Sequence, residues 1–274
     1  MFIAQCFVEF IFYSFLGWVW ESIYCTINEK KWADRGFLFG PVCPIYGSCV
    51  IITSILFSSI PMLMDPEFPI WAIFILCVIG SAIAEFGTSW VLEKRFNARW
   101  WDYSHLPLNI QGRICLPVSL AFGAAGVLIV KFLIPFVAGI HAVVNPLVYE
   151  VACLLLALLF GADFALTEAS LSSILNDVKR MHEDFVEKRQ SEYEKIAASS
   201  KKISDKISEE KDAHKARREQ MAAEYSERLS FNQKRILQGI EKFMPKAGET
   251  NDETAKRSFM ETLRERAKEG KKSA

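Results

Sequence analysis

Five carboxylates stand inside or at the ends of long apolar stretches of this chain: Glu9, Glu21, Glu85, Glu150 and Asp163. A charged group in hydrocarbon is costly, so such residues line polar routes, pair with cations or carry protons. Glu9, Tyr13, Gly17, Trp20, Glu21 and Tyr24 recur at helical spacing and form one polar-aromatic stripe. Ser81, Glu85, Thr88 and Ser89 form a second. Glu21, Glu85 and Asp163 each fall about two turns or less from the inner end of an apolar stretch, and so share a depth. Two readings follow for Glu21 and Glu85. They line a cavity open to the cytoplasm with Arg35, Arg99 and Arg113, which binds a polar solute or a lipid headgroup or carries protons. Or they pair with those arginines and pin loops onto the bundle. Asp163, beside the tail, reads as solvated at the interface. Glu9 and Glu150 read as polar contacts between helices.

The segments flanking these carboxylates supply the remaining candidates. Arg35-Gly-Phe-Leu-Phe-Gly-Pro41 and Cys43-Pro-Ile-Tyr-Gly47 combine glycines that permit tight turns with prolines suited to a first helical turn. Irregular backbone at membrane depth survives only where it is buried in protein or lines a wet cavity. Tyr46 of this run and Tyr13 of the first stripe join the candidate solute site. Asn97-Ala-Arg-Trp-Trp-Asp-Tyr-Ser104 pairs two indoles with Arg99 and Asp102. Trp100, Trp101 and Tyr103 suit anchoring at headgroups, and the alternative for Trp100, Trp101 and Asp102 is an aromatic clamp on a ligand. Gly123 and Gly126 let helices approach closely.

The elements that must position these residues are membrane helices. The chain has 274 residues and no net formal charge. Residues 1–166 carry 11 Asp and Glu and 8 Lys and Arg, leaving 21 acidic and 24 basic residues for 167–274. A soluble domain mixes these types, and their segregation marks a membrane domain followed by a solvated segment. A span takes about 20 apolar residues. Five stretches qualify: 2–24, 37–60, 68–92, 114–136 and 143–166. The first lacks a basic n-region and is too long for a cleavable signal. Lys30, Lys31 and Arg35 fall in the first loop, Lys94, Arg95, Arg99 and Arg113 in the third, and Lys131 alone in the fourth. The second loop has no Lys or Arg. This alternation places the N-terminus outside and the tail in the cytoplasm.

The expected architecture is therefore all-α: a polytopic bundle of five transmembrane helices at 1–166, followed by a helical or coiled-coil tail at 167–245. Leu171, Leu175, Val178, His182 and Phe185 keep helical spacing, as do Leu229, Ile236, Ile240 and Phe243. The charged runs between them look too polar for a globular core, which leaves a long solvated helix or a thin coiled-coil seam. Residues 246–274 read as mostly disordered, with one short helix near 258–268. The seven cysteines show no framework spacing, and no CxxC or HxxxH pattern suggests a metal. GxxxxGK[ST], HExxH and GxGxxG are absent, so the chain is expected neither to be an enzyme nor to carry a cofactor. Any ATP hydrolysis would fall to a separate subunit. Nucleic acid is not an expected partner, whereas the lipid bilayer is.

The two helical hairpins resemble each other. Each opens with Trp-x-x-Glu, at Trp18–Glu21 and Trp90–Glu93, and each returns at an Arg followed by Pro and Gly. Duplication of a hairpin is common in transporters, although Trp, Arg, Gly and Pro are also frequent at membrane interfaces. The run from Tyr13 to Tyr24, then Arg35 to Gly47, Thr88 to Glu93, Ala98 to Ser104 and Gly112 to Leu116, resembles a bacterial membrane family called ABC-transporter type IV. The resemblance spans roughly residues 10–122. It implies a bacterial cytoplasmic membrane and the permease part of a transporter with a separate ATPase. Two rival readings stand beside it: a scaffold or sensor acting through self-association or a partner at 167–245, and a membrane enzyme on a lipid-linked substrate.

Overall fold

A computed structural model of the chain describes residues 2–30, 36–65, 67–141, 143–197, 216–217, 219–245 and 250–269. In chain order its elements are α1 (Phe2–Glu29), α2 (Pro44–Ser59), a 3₁₀ turn (Pro61–Met64), α3 (Ile70–Phe96), β1 (Ala98–Arg99), β2 (Asn109–Ile110) and β3 (Ile114–Cys115). There follow α4 (Leu116–Leu128), a π turn (Ile129–Leu133), α5 (Ile134–His141), α6 (Pro146–Ala197), α7 (219–228), α8 (Phe231–Gly239), β4 (Lys242–Phe243) and α9 (Asn251–Glu269). The chain divides into two units. Residues 1–95 and 100–167 form the first, and residues 96–99 and 168–274 the second.

The first unit is built from apolar helices, as expected. Phe2–Ile27, Ile70–Phe96, Leu116–Ile140 and Pro146–Met181 are long and apolar enough to cross a membrane. The fifth expected span, 37–60, is helical only over the 16 residues of α2. At 1.5 Å per residue that is about 24 Å, short of a ~30 Å hydrocarbon core. Residues 36–41 bend instead, because Gly36 takes φ +117° and Pro44 fixes where the helix can begin. Helices α3 and α6 run longer than hydropathy indicated, since the polar residues that follow their apolar stretches are good helix formers. Pro135 lacks the N–H for the helical ladder. The helix passes it by widening to the π turn just before, so α4 and α5 continue as one apolar rod.

Small residues set the helix contacts in this unit. A Cβ on Gly17 would strike the side chain of Tyr46, and one on Gly47 would strike Ser14 and the carbonyl of Phe10. These two glycines therefore hold α1 against α2. Gly123 meets Phe74 and Val78, and Gly126 meets Cys77, so α4 packs on α3 in the same way. Helices in lipid gain nothing from hiding apolar surface from one another, and such close approach is what joins them. Tyr13, Val50 and Val137 form one packed cluster, and Phe57, Leu63 and Ile73 another. Phe7 and Phe10 set their rings edge-on to Phe160, joining α1 to α6.

The second unit corrects the expectation for the tail. The described residues of this unit do build a core, with Leu171, Ile174, Val178, Ala222, Leu229, Ile236, Leu237, Ile240, Phe243, Phe259, Met260, Leu263 and Ala267 all buried. Helix α8 starts at a reciprocal Ser230–Gln233 capping box, and α9 at matching Thr250–Glu253 hydrogen bonds. Strand β4 pairs antiparallel with β1, Ala98 opposite Phe243. The Glu261 carboxylate accepts the Phe243 N–H at 2.9 Å, and Gln238 donates to the Ala267 carbonyl at 2.6 Å. Tyr225 donates to Asp177 at 2.9 Å, and burial together with that bond pushes its phenol above the usual tyrosine range. Residues 251–269, expected to be mostly disordered apart from one short helix near 258–268, are helical throughout. Each amphipathic piece alone is too thin for a core, and the pieces succeed by packing on one another.

Two outcomes test this packing. Gly47→Ala lowers the thermal stability of the protein in detergent by about 1–3 kcal/mol through overpacking. Gly80→Ala, with nothing within 4 Å of the new methyl, leaves it unchanged or slightly raised. In the second unit Leu263→Ala costs about 2–5 kcal/mol and opens 250–269 to limited proteolysis. The exposed Glu265→Ala changes protection by no more than about 0.5 kcal/mol.

Candidate functional site

The polar residues of the first unit gather into three groups. The first is the bent segment ahead of α2. The Phe39 and Gly40 N–H groups donate to the two Asp163 oxygens at 2.9 and 2.8 Å, and Phe39 also reaches Thr167 Oγ1 at 3.2 Å. Asp163 and Thr167 lie one turn apart on α6 and share a 3.3 Å hydrogen bond. The Cys43 N–H donates to the Ser14 carbonyl of α1 at 2.9 Å. Asp163 is therefore a clamp on irregular backbone, where solvation at the interface was expected. A Cβ on Gly40 would collide with it, so that glycine is required by the clamp.

The second group is centred on Arg113, which is 5% exposed. Its Nη2 pairs with Glu93 at 3.0 Å, its Nη1 donates to Ser89 Oγ at 3.2 Å and its Nε to Gln111 at 3.3 Å. The guanidinium also lies 5.5 Å from the Phe86 ring centroid. Its carbonyl accepts the Trp101 indole N–H at 2.9 Å. The β2–β3 hairpin presents this residue, and its turn puts Gln111 and Gly112 at positive φ. Asn109 ties the preceding loop by donating to the Ser104 and Leu106 carbonyls and accepting from Gly112. Asp102 accepts from the Ser104 N–H and hydroxyl and closes a small turn. The carboxylate that Arg113 meets is thus Glu93, where Glu21 and Glu85 were the expected partners.

The third group is the chemically open one. Glu21 on α1, Tyr46 on α2, Glu85 on α3 and Tyr103 of the loop lie within electrostatic reach of one another. Tyr103 donates to Glu85 Oε1 at 3.3 Å, and Cys43 Sγ donates to Glu21 Oε2 at 3.6 Å. Burial, with Glu85 and Glu21 close by, pushes the Tyr103 phenol well above the usual tyrosine range, so it remains a donor. Glu85 lies 11 residues from the end of α3, about 16 Å along the helix. The charged end Glu93-Lys94-Arg95 accounts for the helix beyond Leu92, so Glu85 stays about two turns from the end of the apolar stretch. Two carboxylates and two phenols at this depth can hold a cationic solute or pass protons. Among the described residues no group of three metal-ligating side chains is assembled.

The other sequence candidates are distributed differently. Tyr13 is 2% exposed and belongs to the apolar cluster with Val50 and Val137. The Trp100 ring stands edge-on to Phe37 at 5.5 Å. Arg99 lies in β1 of the second unit, its carbonyl accepting the Glu241 N–H at 2.7 Å. Arg35 lies outside the described residues. Sequence reasoning missed Tyr103, Cys43, Glu93 and the clamping role of Asp163. Only the one-turn spacing of Asp163 and Thr167 offered a signal.

Glu93→Gln removes the carboxylate from a buried guanidinium. It costs roughly 3 kcal/mol of stability, the low end for a buried pair because Glu93 keeps solvent contact, read by thermal unfolding in detergent. The exposed Glu67→Gln leaves stability within about 0.5 kcal/mol.

No curated protein and no solved structure matches the chain. The family model described as "Putative ABC-transporter type IV" matches residues 8–168, one residue past the end of the first unit at Thr167. That match covers more than half of the sequence, and the chain belongs to this family of membrane proteins.

Proposed function

We propose that the chain is the permease-like membrane subunit of an ABC-type transporter in a bacterial cytoplasmic membrane. It works with a separate ATPase subunit and carries its tail on the cytoplasmic side. The observation that supports this best is the convergence of Glu21, Tyr46, Glu85 and Tyr103 from three helices and a loop at membrane depth. Buried carboxylates in apolar helices mark solute or ion routes more often than they serve stability. Movement of the α1–α2 hairpin against the α3–α4 hairpin gives alternating access to the cluster. Arg113 and Asp163 keep the loop and the bent segment fixed while that happens.

A second reading draws on the folded second unit. The compact unit of residues 96–99 and 168–274 is a ready docking module, and a scaffold or sensor would use it to hold a partner or a second copy. A membrane enzyme on a lipid-linked substrate is the weakest of the three readings: the thiol beside Glu21, Cys43, acts as its hydrogen-bond donor, and among the described residues no group of three metal-ligating side chains is assembled.

Affinity purification of the full chain from native membranes in mild detergent separates the first two readings. The permease reading expects a stoichiometric ATPase subunit. It further expects that Glu21→Gln and Glu85→Gln reduce ATP-driven solute accumulation in vesicles about tenfold while the ATPase stays bound. Recovery of only those proteins that are lost on deleting residues 168–274 would establish the scaffold in its place.

A further inference from the structure

Given the reading of the Glu21–Glu85 cluster as a solute site, its chemistry selects a class of ligand. Glu85 is 6% exposed, and its Oε2 is fully buried with no hydrogen-bond partner among the described residues. Only Oε1 is engaged, by Tyr103. A buried acceptor left without a donor is unfavourable, and most such atoms in proteins are satisfied. The groups around this one do not satisfy it. Glu21 is a second carboxylate within electrostatic reach, and Cys49 and Tyr46 lie close enough to feel the Glu85 charge. Arg113, the cation held against the same helix, is engaged by Glu93, Ser89 and Gln111.

An anion entering this cluster meets two carboxylates. A neutral solute brings only weak donors. A divalent metal finds no set of three ligating side chains among the described residues. A protonated amine brings N⁺–H donors for Oε2, attraction to both carboxylates and a fit to the faces of Tyr46 and Tyr103. We propose that Glu85, with Glu21, Tyr46 and Tyr103, binds a small protonated amine, with Glu85 Oε2 as its counter-ion. The same chemistry is carried by a free amine and by the ammonium of an ethanolamine lipid headgroup.

The test is calorimetric titration of the full-length protein in phosphatidylcholine nanodiscs, without nucleotide or partner. The probes are benzylammonium chloride and its anionic and neutral counterparts, sodium benzoate and benzyl alcohol. Benzylammonium is expected to bind saturably, with the other two at least about tenfold weaker. Glu85→Gln is expected to weaken benzylammonium binding roughly ten- to a hundredfold. Glu21→Gln, which leaves both partners of the Tyr103–Glu85 hydrogen bond in place, is expected to weaken it roughly threefold and serves if Glu85→Gln does not fold. Adding phosphatidylethanolamine to the nanodiscs identifies the source: competition with the probe assigns the site to a headgroup, and its absence to a free amine. Equal binding of benzoate or benzyl alcohol, no saturable binding of benzylammonium, or unchanged affinity in both variants overturns the proposal. Selective amine binding with no ATPase partner would overturn the permease reading alone. An ATPase partner without amine binding would overturn the ligand class alone.

Discussion

Backbone that leaves the helical path between apolar helices must have its polar groups satisfied by protein, because lipid offers no donor or acceptor. Residues 36–43 are in that position, and much of the first unit follows from how they are held. The Asp163 carboxylate takes two consecutive N–H groups, and the Ser14 carbonyl takes the N–H of Cys43. For those bonds to form, α1, α2 and α6 must lie close. Gly17, Gly40 and Gly47 are the places where that closeness leaves no room for a side chain. The bend shortens α2 and starts it at Pro44, which sets Tyr46 opposite Gly17 and within reach of Glu21. The candidate site is thus a by-product of solving a backbone problem.

The loop between α3 and α4 solves a related problem with charge. A buried guanidinium is tolerable only when its donors are taken, and Arg113 uses a carboxylate, a hydroxyl, an amide oxygen and an aromatic face. In return the loop acquires a fixed shape, and Tyr103 arrives beside Glu85 with its proton secured. The division of labour is clear. Glu93 and Asp163 are committed to architecture, whereas one oxygen of Glu85 is not.

Apolar runs made the membrane helices legible in the sequence, because a helix of about 20 uncharged residues is suited to little except a bilayer. The glycine contacts of α4 were legible for the same reason, since small residues in such runs have few uses besides packing. What escaped was whatever depends on the path of a loop. Shared depth along a helix does not say which carboxylate an arginine will meet, so Arg113 was set beside Glu21 and Glu85 and is found on Glu93. Tyr103 looked like a headgroup anchor because nothing in its spacing from Glu85 signals that an 18-residue separation closes. The second unit was misread because its core is shared among pieces far apart in sequence. Leu263 and Ile236 each sit on a face too narrow to announce a fold, and β1 joins β4 across more than 140 residues.

The Asp163 contact also carries a consequence for how the chain is made. The amides it holds precede it by 123 and 124 residues. At about 5–20 residues per second, the ribosome delivers Asp163 roughly 6 to 25 seconds after Phe39 and Gly40. For that interval α1 and α2 are already synthesised while the bent segment between them lacks its acceptor. The nascent hairpin must wait in the insertion machinery or at its lipid margin, and the last membrane helix to be synthesised completes the first turn of the fold.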